Sequence, residues 1–271
     1  MEIYWLEQDA SSVPAGDEWL SGAERARLEA LRIPKRRADW RLGRWTAKSA
    51  LSVYCGLPDH LEALSEIELR PKPSGAPEVF CRNQPVGLAF SLSHSGGRAM
   101  CVIAPGSLRV GCDLEAIEER SPAFLADFFT EQEQKLVAET PPIHRGRLVT
   151  LLWSAKESAL KALGCGLRSD TQWVNALPES FTEPGIGRSD IAHTQWNPLT
   201  VMLRGGMIFC GWWSEFRGQV RTVVAEPAAY SLKTPGTAAV PFLLLRRASH
   251  EFPRAHPLPA RGWCFASSSL Q

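Results

Sequence analysis

Two acidic side chains, Asp113 and Glu115, stand at a spacing that can bind a metal ion. They lie in the segment Val110-Gly111-Cys112-Asp113-Leu114-Glu115. Residues two apart on a β-strand point to the same face with Cα atoms roughly 6.5 to 7 Å apart, so both carboxylates can converge on one cation. Mg²⁺ prefers oxygen ligands and is commonly held by one or two carboxylates. The spacing is also typical of an edge strand with a solvated acidic face, because Asp-x-Glu is common.

A third carboxylate, Glu157, lies with two lysines in Trp153-Ser154-Ala155-Lys156-Glu157-Ser158-Ala159-Leu160-Lys161. At about 100° per residue, Lys156 falls within the apolar stripe of the predicted helix, and Glu157 lies at its edge one turn before Lys161. The stripe consists of Leu152, Ala155, Ala159 and Leu163. A structural interpretation is a lysine that extends its charge to solvent and an ordinary i,i+4 pair. A functional interpretation is a half-buried lysine that binds an anion beside the carboxylate. The helix alone leaves both open.

A hydroxyl-rich turn occupies Ser91-Leu92-Ser93-His94-Ser95-Gly96-Gly97. Serine hydroxyls and turn N–H groups suit phosphate oxygens. A Ser/His hydrolase is the rival hypothesis, but adjacent Ser93 and His94 on a strand would point to opposite faces, and the chain has no G-x-S-x-G elbow. By itself the segment is most typical of a hairpin turn with a surface histidine.

Four basic residues share one predicted helix face because they are three or four residues apart: Arg37, Arg41, Arg44 and Lys48. This face could bind phosphates or an acidic protein, or simply be solvated. The whole chain carries 30 Lys and Arg against 29 Asp and Glu, a formal charge of +1. Such a balance argues against a general nucleic-acid binder, so specificity must come from local sites.

The composition bounds the class of protein. With 271 residues, 44% hydrophobic and 22% charged, the chain can form one large or two small globular domains and is not disordered. It has no apolar run of about 18 residues, the length of a membrane span. The start, Met1-Glu2-Ile3-Tyr4-Trp5, is unlike a secretory signal. Its seven cysteines are scattered without a CxxC pair, which favours a reducing cytoplasm.

The elements that position these residues alternate between helices and short strands, which predicts an α+β fold. Helix is predicted over 20–57, opened by a Ser21/Glu24 capping box and divided at Pro34. A second capping box, Thr130 with Glu133, opens another helix, and a long helix is predicted over 147–163 before Gly164. Strands are predicted at 88–92, 99–104, 108–114, 200–203, 208–213, 220–225 and 241–245. Residues 71–87 are predicted as a loop, and we find no strong internal repeat.

Read in order, these segments resemble the 4′-phosphopantetheinyl transferases of the larger, surfactin-type class. The resemblance covers about residues 25–170, and the order of its motifs is far more specific than any one of them. The matching residues are Leu42-Gly43-Arg44, Ser91-Leu92-Ser93-His94-Ser95, Gly111-Cys112-Asp113-Leu114-Glu115, Phe128-Phe129-Thr130 with Glu133, and Trp153-Ser154-Ala155-Lys156-Glu157 with Lys161.

The resemblance implies transfer of the 4′-phosphopantetheine arm from coenzyme A to a serine of an apo acyl, peptidyl or aryl carrier protein, with release of adenosine 3′,5′-bisphosphate. Such carriers serve fatty-acid, polyketide or nonribosomal-peptide biosynthesis. It further implies that Asp113, Glu115 and Glu157 hold Mg²⁺ (or Mn²⁺), that Glu157 is the base for the carrier serine, and that Lys156 and Lys161 neutralise phosphate charge. The implied contacts to coenzyme A phosphates are Arg44, Arg70, Ser93 and His94.

The family fold implies a pseudo-dimer of two similar α+β halves, each a small antiparallel sheet packed with helices, with the active site at the seam. We therefore expect an N-terminal half over 1–105 that contacts coenzyme A, a C-terminal half over 106–225 with the metal and catalytic motifs, and a Pro-rich extension over 226–271. A monomer is expected, with no nucleic-acid or membrane partner.

One departure from the family pattern keeps an alternative open. A loop that usually reads Gly-Lys-Pro is Gly75-Ala76-Pro77 here, so one basic contact to coenzyme A is missing unless Lys72 replaces it. The alternative is a catalytically impaired relative that only binds carrier proteins. An unrelated Mg²⁺-dependent phosphotransferase or nuclease would leave the Ser93-His94 turn and Lys156 without a role.

Overall fold

The structure is a computed structural model that describes residues 3–54, 57–58, 60–72, 76–179, 181 and 196–226. It mixes helices with antiparallel sheets, so the predicted α+β class is confirmed. Within the described residues, no helix combines the length and apolar character needed to cross a membrane.

The first part of the chain forms a three-stranded antiparallel sheet, a small second sheet and two helices. The helices are α1 (Gly22–Ala30) and α2 (Pro34–Tyr54). The first sheet has the order β1-β6-β5, from β1 (Tyr4–Asp9), β5 (Leu88–Ser95) and β6 (Arg98–Pro105). The second has the order β2-β3-β4, from β2 (Ile67–Pro71), β3 (Pro77–Cys81) and β4 (Gln84–Pro85).

The second part forms a five-stranded antiparallel sheet of order β7-β11-β10-β9-β8 with three helices. The strands are β7 (Arg109–Ala116), β8 (Val174–Pro178), β9 (Asn197–Leu203), β10 (Ile208–Phe216) and β11 (Gln219–Glu226). The helices are α3 (Pro122–Phe128), α4 (Glu131–Glu139) and α5 (Pro142–Ala162).

Strand alternation distributes the buried side chains over three hydrophobic clusters. On β6, Cys101 and Ile103 pack in the cluster that contains α2, whereas Met100 and Val102 pack in a cluster shared with β7 and β11. On β11, Val220 and Val224 pack with α5, whereas Val223 faces the shared cluster. The two larger sheets therefore pack against each other, and each carries its long helix on the outer face.

Several local predictions are confirmed. Both capping boxes form, with Ser21 and Thr130 each accepting from the backbone N–H of the glutamate three residues on. Pro34 separates α1 from α2 and is the first residue of α2, where its missing N–H costs nothing. The predicted hairpin turns at Gly96 and Gly97, which have positive φ.

Other predictions need correction. Residues 71–87 are not simply a loop, because β3 and β4 lie within them and β2 ends at Pro71. The N-terminal strand β1 and strand β8 were not predicted, because neither is bounded by clear turn residues. The predicted strand at 241–245 and the whole extension over 226–271 beyond Glu226 lie outside the described residues.

The basic face of α2 is a structural feature and not a free binding surface. Arg37 donates to Leu28 O, and Arg41 donates to Pro14 O at 2.6 Å and forms an ion pair with Asp17. These arginines hold the preceding chain against α2. Of the two interpretations left open for this face, binding to phosphates or an acidic protein and simple solvation, neither describes Arg37 and Arg41, whose side chains bind other parts of the chain.

Candidate metal and phosphate site

The site lies where helix α5 crosses strands β7 and β11. Gly111 permits this close approach, because a Cβ on Gly111 would lie only 1.8 Å from the backbone oxygen of Ser158. Strand alternation places Asp113 and Glu115 on the same side of β7 as Gly111, facing α5. Helix α5 contributes Glu157 and Lys161, one turn apart.

The three predicted metal-binding carboxylates come together. Asp113, Glu115 and Glu157 each offer an oxygen atom, and these atoms all lie within 4.8 Å of one another. Asp113 is almost completely buried, whereas Glu115 and Glu157 are partly exposed, so the cluster is accessible to solvent. A divalent cation with several oxygen ligands fits such an arrangement.

The charges of the cluster are incompletely balanced. Burial, followed by repulsion from Asp113 and Glu157, raises the pKa of Glu115 to about 7. Burial and the Asp113 charge likewise raise the pKa of Glu157. Lys161 supplies the nearest positive charge, since its Nζ lies 2.6 Å from Asp113 Oδ1 and 3.9 Å from Glu157 Oε2. Although burial opposes it, the Asp113 charge raises the pKa of Lys161.

The hydroxyl of Ser93 joins the first sheet to this cluster. Ser93 Oγ donates to Asp113 Oδ1 at 2.8 Å, and Lys161 Nζ donates to Ser93 Oγ at 3.0 Å. The neighbouring Ser91 Oγ accepts from the backbone N–H of Cys112 at 3.0 Å. The bonds of Ser93 to Asp113 and of Ser91 to Cys112 cross from β5 to β7, so the Ser-x-Ser spacing on β5 aligns β5 with β7 at the site.

One buried acceptor in the cluster has no partner. Asp113 Oδ2 is buried and accepts no hydrogen bond from any residue that the structure describes, whereas Oδ1 is shared by Ser93 and Lys161. An unpaired buried carboxylate oxygen is costly, and a bound cation would satisfy it. Together with the raised pKa of Glu115, this orphaned atom shows that the residues fit a divalent metal ion.

Lys156 lies elsewhere, and its prediction as a phosphate-binding residue needs correction. Its side chain is completely buried, and its Nζ forms an ion pair with Glu133 at 2.7 Å. The same Nζ donates to Thr171 O at 2.9 Å and to Val174 O at 2.7 Å. With all three protons used inside the protein, the ammonium group has no capacity left for a phosphate. The lysine inside the apolar sector is explained by this buried pair.

Arg44 and Arg70 are also engaged in the N-terminal part. Arg44 lies 3.5 Å from Glu24 and stacks over Trp40 at 5.0 Å, and burial lowers its pKa. Arg70 donates to Asn83 Oδ1 at 2.7 Å and stacks over the ring of Phe80. None of these contacts is with the carboxylate cluster, so their predicted roles toward coenzyme A stay predictions.

His94 and Ala76 lie at the margins of the site. His94 follows Ser93 on β5 and is exposed, as expected from strand alternation. Ala76, which replaces the expected lysine, lies near the C-terminal end of α5, since a Cβ on Gly164 would be 3.9 Å from Ala76 Cβ. Lys72 lies 3.9 Å from Glu78 and is about half exposed.

Sequence reasoning missed Arg120. Its Nη2 lies 4.0 Å from Glu115 Oε2 and 2.6 Å from Glu118 Oε1, while the guanidinium stacks over Phe124 at 5.0 Å. Its charge lowers the pKa of both Glu115 and Glu157, against the larger effect of burial. Its position five residues after Glu115 was the only available signal.

Comparisons with known proteins agree with this site. Residues 109–201, a region that includes β7 and α5, match the family model of the 4′-phosphopantetheinyl transferase superfamily. The chain is 28% identical over 164 residues to the 4′-phosphopantetheinyl transferase HetI of Nostoc sp. strain PCC 7120. That alignment covers 60% of this chain and 67% of the relative. The region that carries the carboxylate cluster is therefore similar to the 4′-phosphopantetheinyl transferase superfamily.

A solved structure is also similar in part. It is the crystal structure of Thermotoga maritima holo-[acyl-carrier-protein] synthase, at 24% identity and a TM-score of 0.31. The similarity covers 43% of this chain and 61% of that protein, so this chain spans less than two thirds of its length.

Proposed function

We propose that this protein transfers the 4′-phosphopantetheine arm of coenzyme A to a serine of an apo carrier protein. In this reaction the serine oxygen bonds to the phosphorus that carries the pantetheine arm. The bond from that phosphorus to the bridging oxygen of the pyrophosphate breaks, and adenosine 3′,5′-bisphosphate leaves. The observation that carries the proposal is the cluster of Asp113, Glu115 and Glu157 beside Lys161, in the region that matches the superfamily.

The residues of the cluster divide the work. Asp113, Glu115 and Glu157 would hold Mg²⁺, which when bound supplies Lewis-acid stabilisation of the pyrophosphate. Glu157 accepts the proton of the serine hydroxyl, because it is partly exposed and because burial and the Asp113 charge raise its pKa above the ordinary value of a glutamate. Lys161 stabilises the negative charge on the phosphate oxygens, and Ser93 orients both Lys161 and Asp113.

The intact mass of an apo carrier protein tests the proposal. The carrier is incubated with this protein, coenzyme A and Mg²⁺, and a separate control reaction contains excess EDTA from the start. We expect a mass gain equal to one phosphopantetheine arm that disappears with EDTA. A gain that persists in EDTA would contradict the metal assignment. No gain across acyl, peptidyl and aryl carriers would contradict the proposed activity.

The replacement of lysine by Ala76 favours a second candidate, a relative that binds carrier proteins without modifying them. The two candidates differ in coenzyme A binding. Magnesium-dependent binding of coenzyme A, measured by calorimetry, supports the transferase. Binding of a carrier without binding of coenzyme A supports the second candidate, and restoring the lysine by Ala76→Lys would then be the decisive variant.

A further inference from the structure

Three buried hydroxyl groups join α5 to the sheet beneath the carboxylate cluster. Thr222 lies on β11, completely buried, and its Oγ1 is 2.8 Å from Ser154 Oγ and 2.7 Å from Ser158 Oγ. Ser154 and Ser158 are one helical turn apart on α5 and are also completely buried. We call Ser154, Ser158 and Thr222 the hydroxyl triad.

The triad contacts both elements that carry the carboxylates. In the pairing of β11 with β7, Thr222 lies directly opposite Asp113. On α5, Ser158 follows Glu157 in the chain, and Ser154 lies one turn before it. Thr222 thus connects the strand position of one carboxylate to the two helix positions that flank another.

The surrounding interface is apolar and does not require hydroxyl groups. Val220 and Val224 flank Thr222 on the same face of β11 and pack against α5. A buried hydroxyl is desolvated, so apolar residues at all three positions would pack here at little cost in stability if the triad served only to fill space. The hydroxyl groups, however, fix the rotation and height of α5, which apolar contacts leave adjustable because they are non-directional.

Gly111 makes this alignment sensitive. The helix backbone at Ser158 lies in van der Waals contact with β7, so a small shift of α5 is transmitted directly to the distance between Glu157 and Asp113. Metal sites require the ligating groups to be held within about 0.5 Å, and the hydrogen bonds made by those groups determine that precision.

We propose that Thr222 is a positioning residue, which acts through Ser154 and Ser158 to hold Glu157 at cation-binding distance from Asp113 and Glu115. This inference rests on the proposed function for its metal site. It assigns to β11, a strand without any of the predicted site residues, the alignment of the other two elements.

The test compares Thr222→Val, which removes only the hydroxyl group, with Thr222→Ser, which restores it. The matched control is Thr150→Val, because Thr150 is a buried threonine of α5 whose hydroxyl donates to Gly146 O within its own helix. The first readout is the affinity for Mn²⁺, which is measured by electron paramagnetic resonance in the absence of coenzyme A and carrier. The second is the transfer rate as a function of Mg²⁺ concentration, and thermal unfolding reports folding.

We expect Thr222→Val to weaken Mn²⁺ binding about tenfold, in the range found when outer hydrogen bonds of metal ligands are removed. It should raise the Mg²⁺ concentration needed for half-maximal transfer by a similar factor. Thr222→Ser should restore both values to near the wild-type level, and Thr150→Val should leave both unchanged.

Wild-type Mn²⁺ affinity in Thr222→Val would overturn the inference, and so would the failure of Thr222→Ser to restore a lowered affinity. If Thr222→Val does not fold, Ser158→Ala replaces it with the same expectation. A wild-type protein that binds Mn²⁺ but transfers no arm would contradict the proposed function alone, since Mn²⁺ binding still judges the triad. A wild-type protein that binds no Mn²⁺ would contradict both.

Discussion

Lys48 and Lys156 occupy equivalent places in the two long helices. Each helix has 21 residues and begins with a proline, Pro34 or Pro142, and each lysine lies 14 residues after it. Both lysines are completely buried. Each forms an ion pair with the glutamate of a capping box, Lys48 with Glu24 and Lys156 with Glu133.

The surroundings of the two lysines correspond as well. Lys48 Nζ donates to Trp19 O and Leu64 O, and Lys156 Nζ likewise donates to two backbone oxygens. The local sequences are Trp45-Thr46-Ala47-Lys48 and Trp153-Ser154-Ala155-Lys156. This correspondence supports the proposal that the chain is a pseudo-dimer. In the sequence this correspondence is limited to a few positions around each lysine.

The residue after each lysine distinguishes the two helices. Ser49 follows Lys48, whereas Glu157 follows Lys156 and joins the carboxylate cluster. The shared lysine therefore belongs to the architecture of both helices, and the added carboxylate belongs to the candidate site.

Removal of Lys156 should affect stability first. In Lys156→Met the Glu133 carboxylate would remain buried without its partner, which costs about 3 to 5 kcal/mol of unfolding free energy. Urea denaturation measures this loss. The exposed Lys135→Met on α4 is the control and should change stability by less than about 0.5 kcal/mol. Recovery of much of the loss in the double variant with Glu133→Gln would support the buried pair, and a stable single variant would contradict it.

Loss of a carboxylate should abolish transfer without unfolding the protein. Asp113→Ala or Glu157→Ala should lower the transfer rate at least about 100-fold, because each removes a metal ligand and Glu157 also accepts the serine proton. The control is Glu139→Gln, a change at an exposed carboxylate of α4. The measurement is the rate of carrier mass gain, with circular dichroism as the check on folding. Near-normal turnover in either alanine variant would refute the metal assignment.

Lys161 should act mainly on coenzyme A. Its side chain is 28% exposed and borders the carboxylate cluster, so Lys161→Ala should raise the KM for coenzyme A about tenfold, the value of one charged hydrogen bond. Steady-state kinetics with coenzyme A as the varied substrate measures the change. An unchanged KM with an unchanged rate would show that Lys161 only balances the charge of Asp113.

The stability of the metal-free protein should depend on the ionisation of Glu115. The pKa of Glu115 is raised from 4.5 to about 7 in the folded state, so the folded state binds this proton more tightly than the unfolded state. The stabilisation that comes from tighter proton binding at Glu115 is fully present below pH 4.5 and is lost as the pH rises through about 7. The free energy of unfolding therefore falls over that interval. The Tm of the metal-free wild type should therefore fall more between pH 5 and pH 8, a range of roughly three units around the titration, than that of Glu115→Gln. Parallel Tm profiles would contradict this assignment.

The sequence by itself determined the local devices of this protein. Capping boxes, glycine turns and strand alternation depend on neighbouring residues, so Ser21, Thr130, Gly96 and the Asp113–Glu115 pair were all predictable. The order of the motifs carries the resemblance to the 4′-phosphopantetheinyl transferases. It also supplied Glu157 as the third carboxylate.

Only the tertiary structure decided which charged side chains are free to bind. Lys156 and Lys161 lie on the same helix and both follow from the motif, yet Lys156 is completely buried against Glu133, whereas Lys161 beside Asp113 stays partly exposed. The partners of these lysines come from elements 23 and 48 residues away in the chain, and no local pattern encodes such pairings. The same holds for Thr222, whose role depends on the packing of α5 against a strand more than 60 residues distant. Charge burial is set by long-range packing, because desolvation depends on everything that surrounds a side chain and not on its neighbours in sequence.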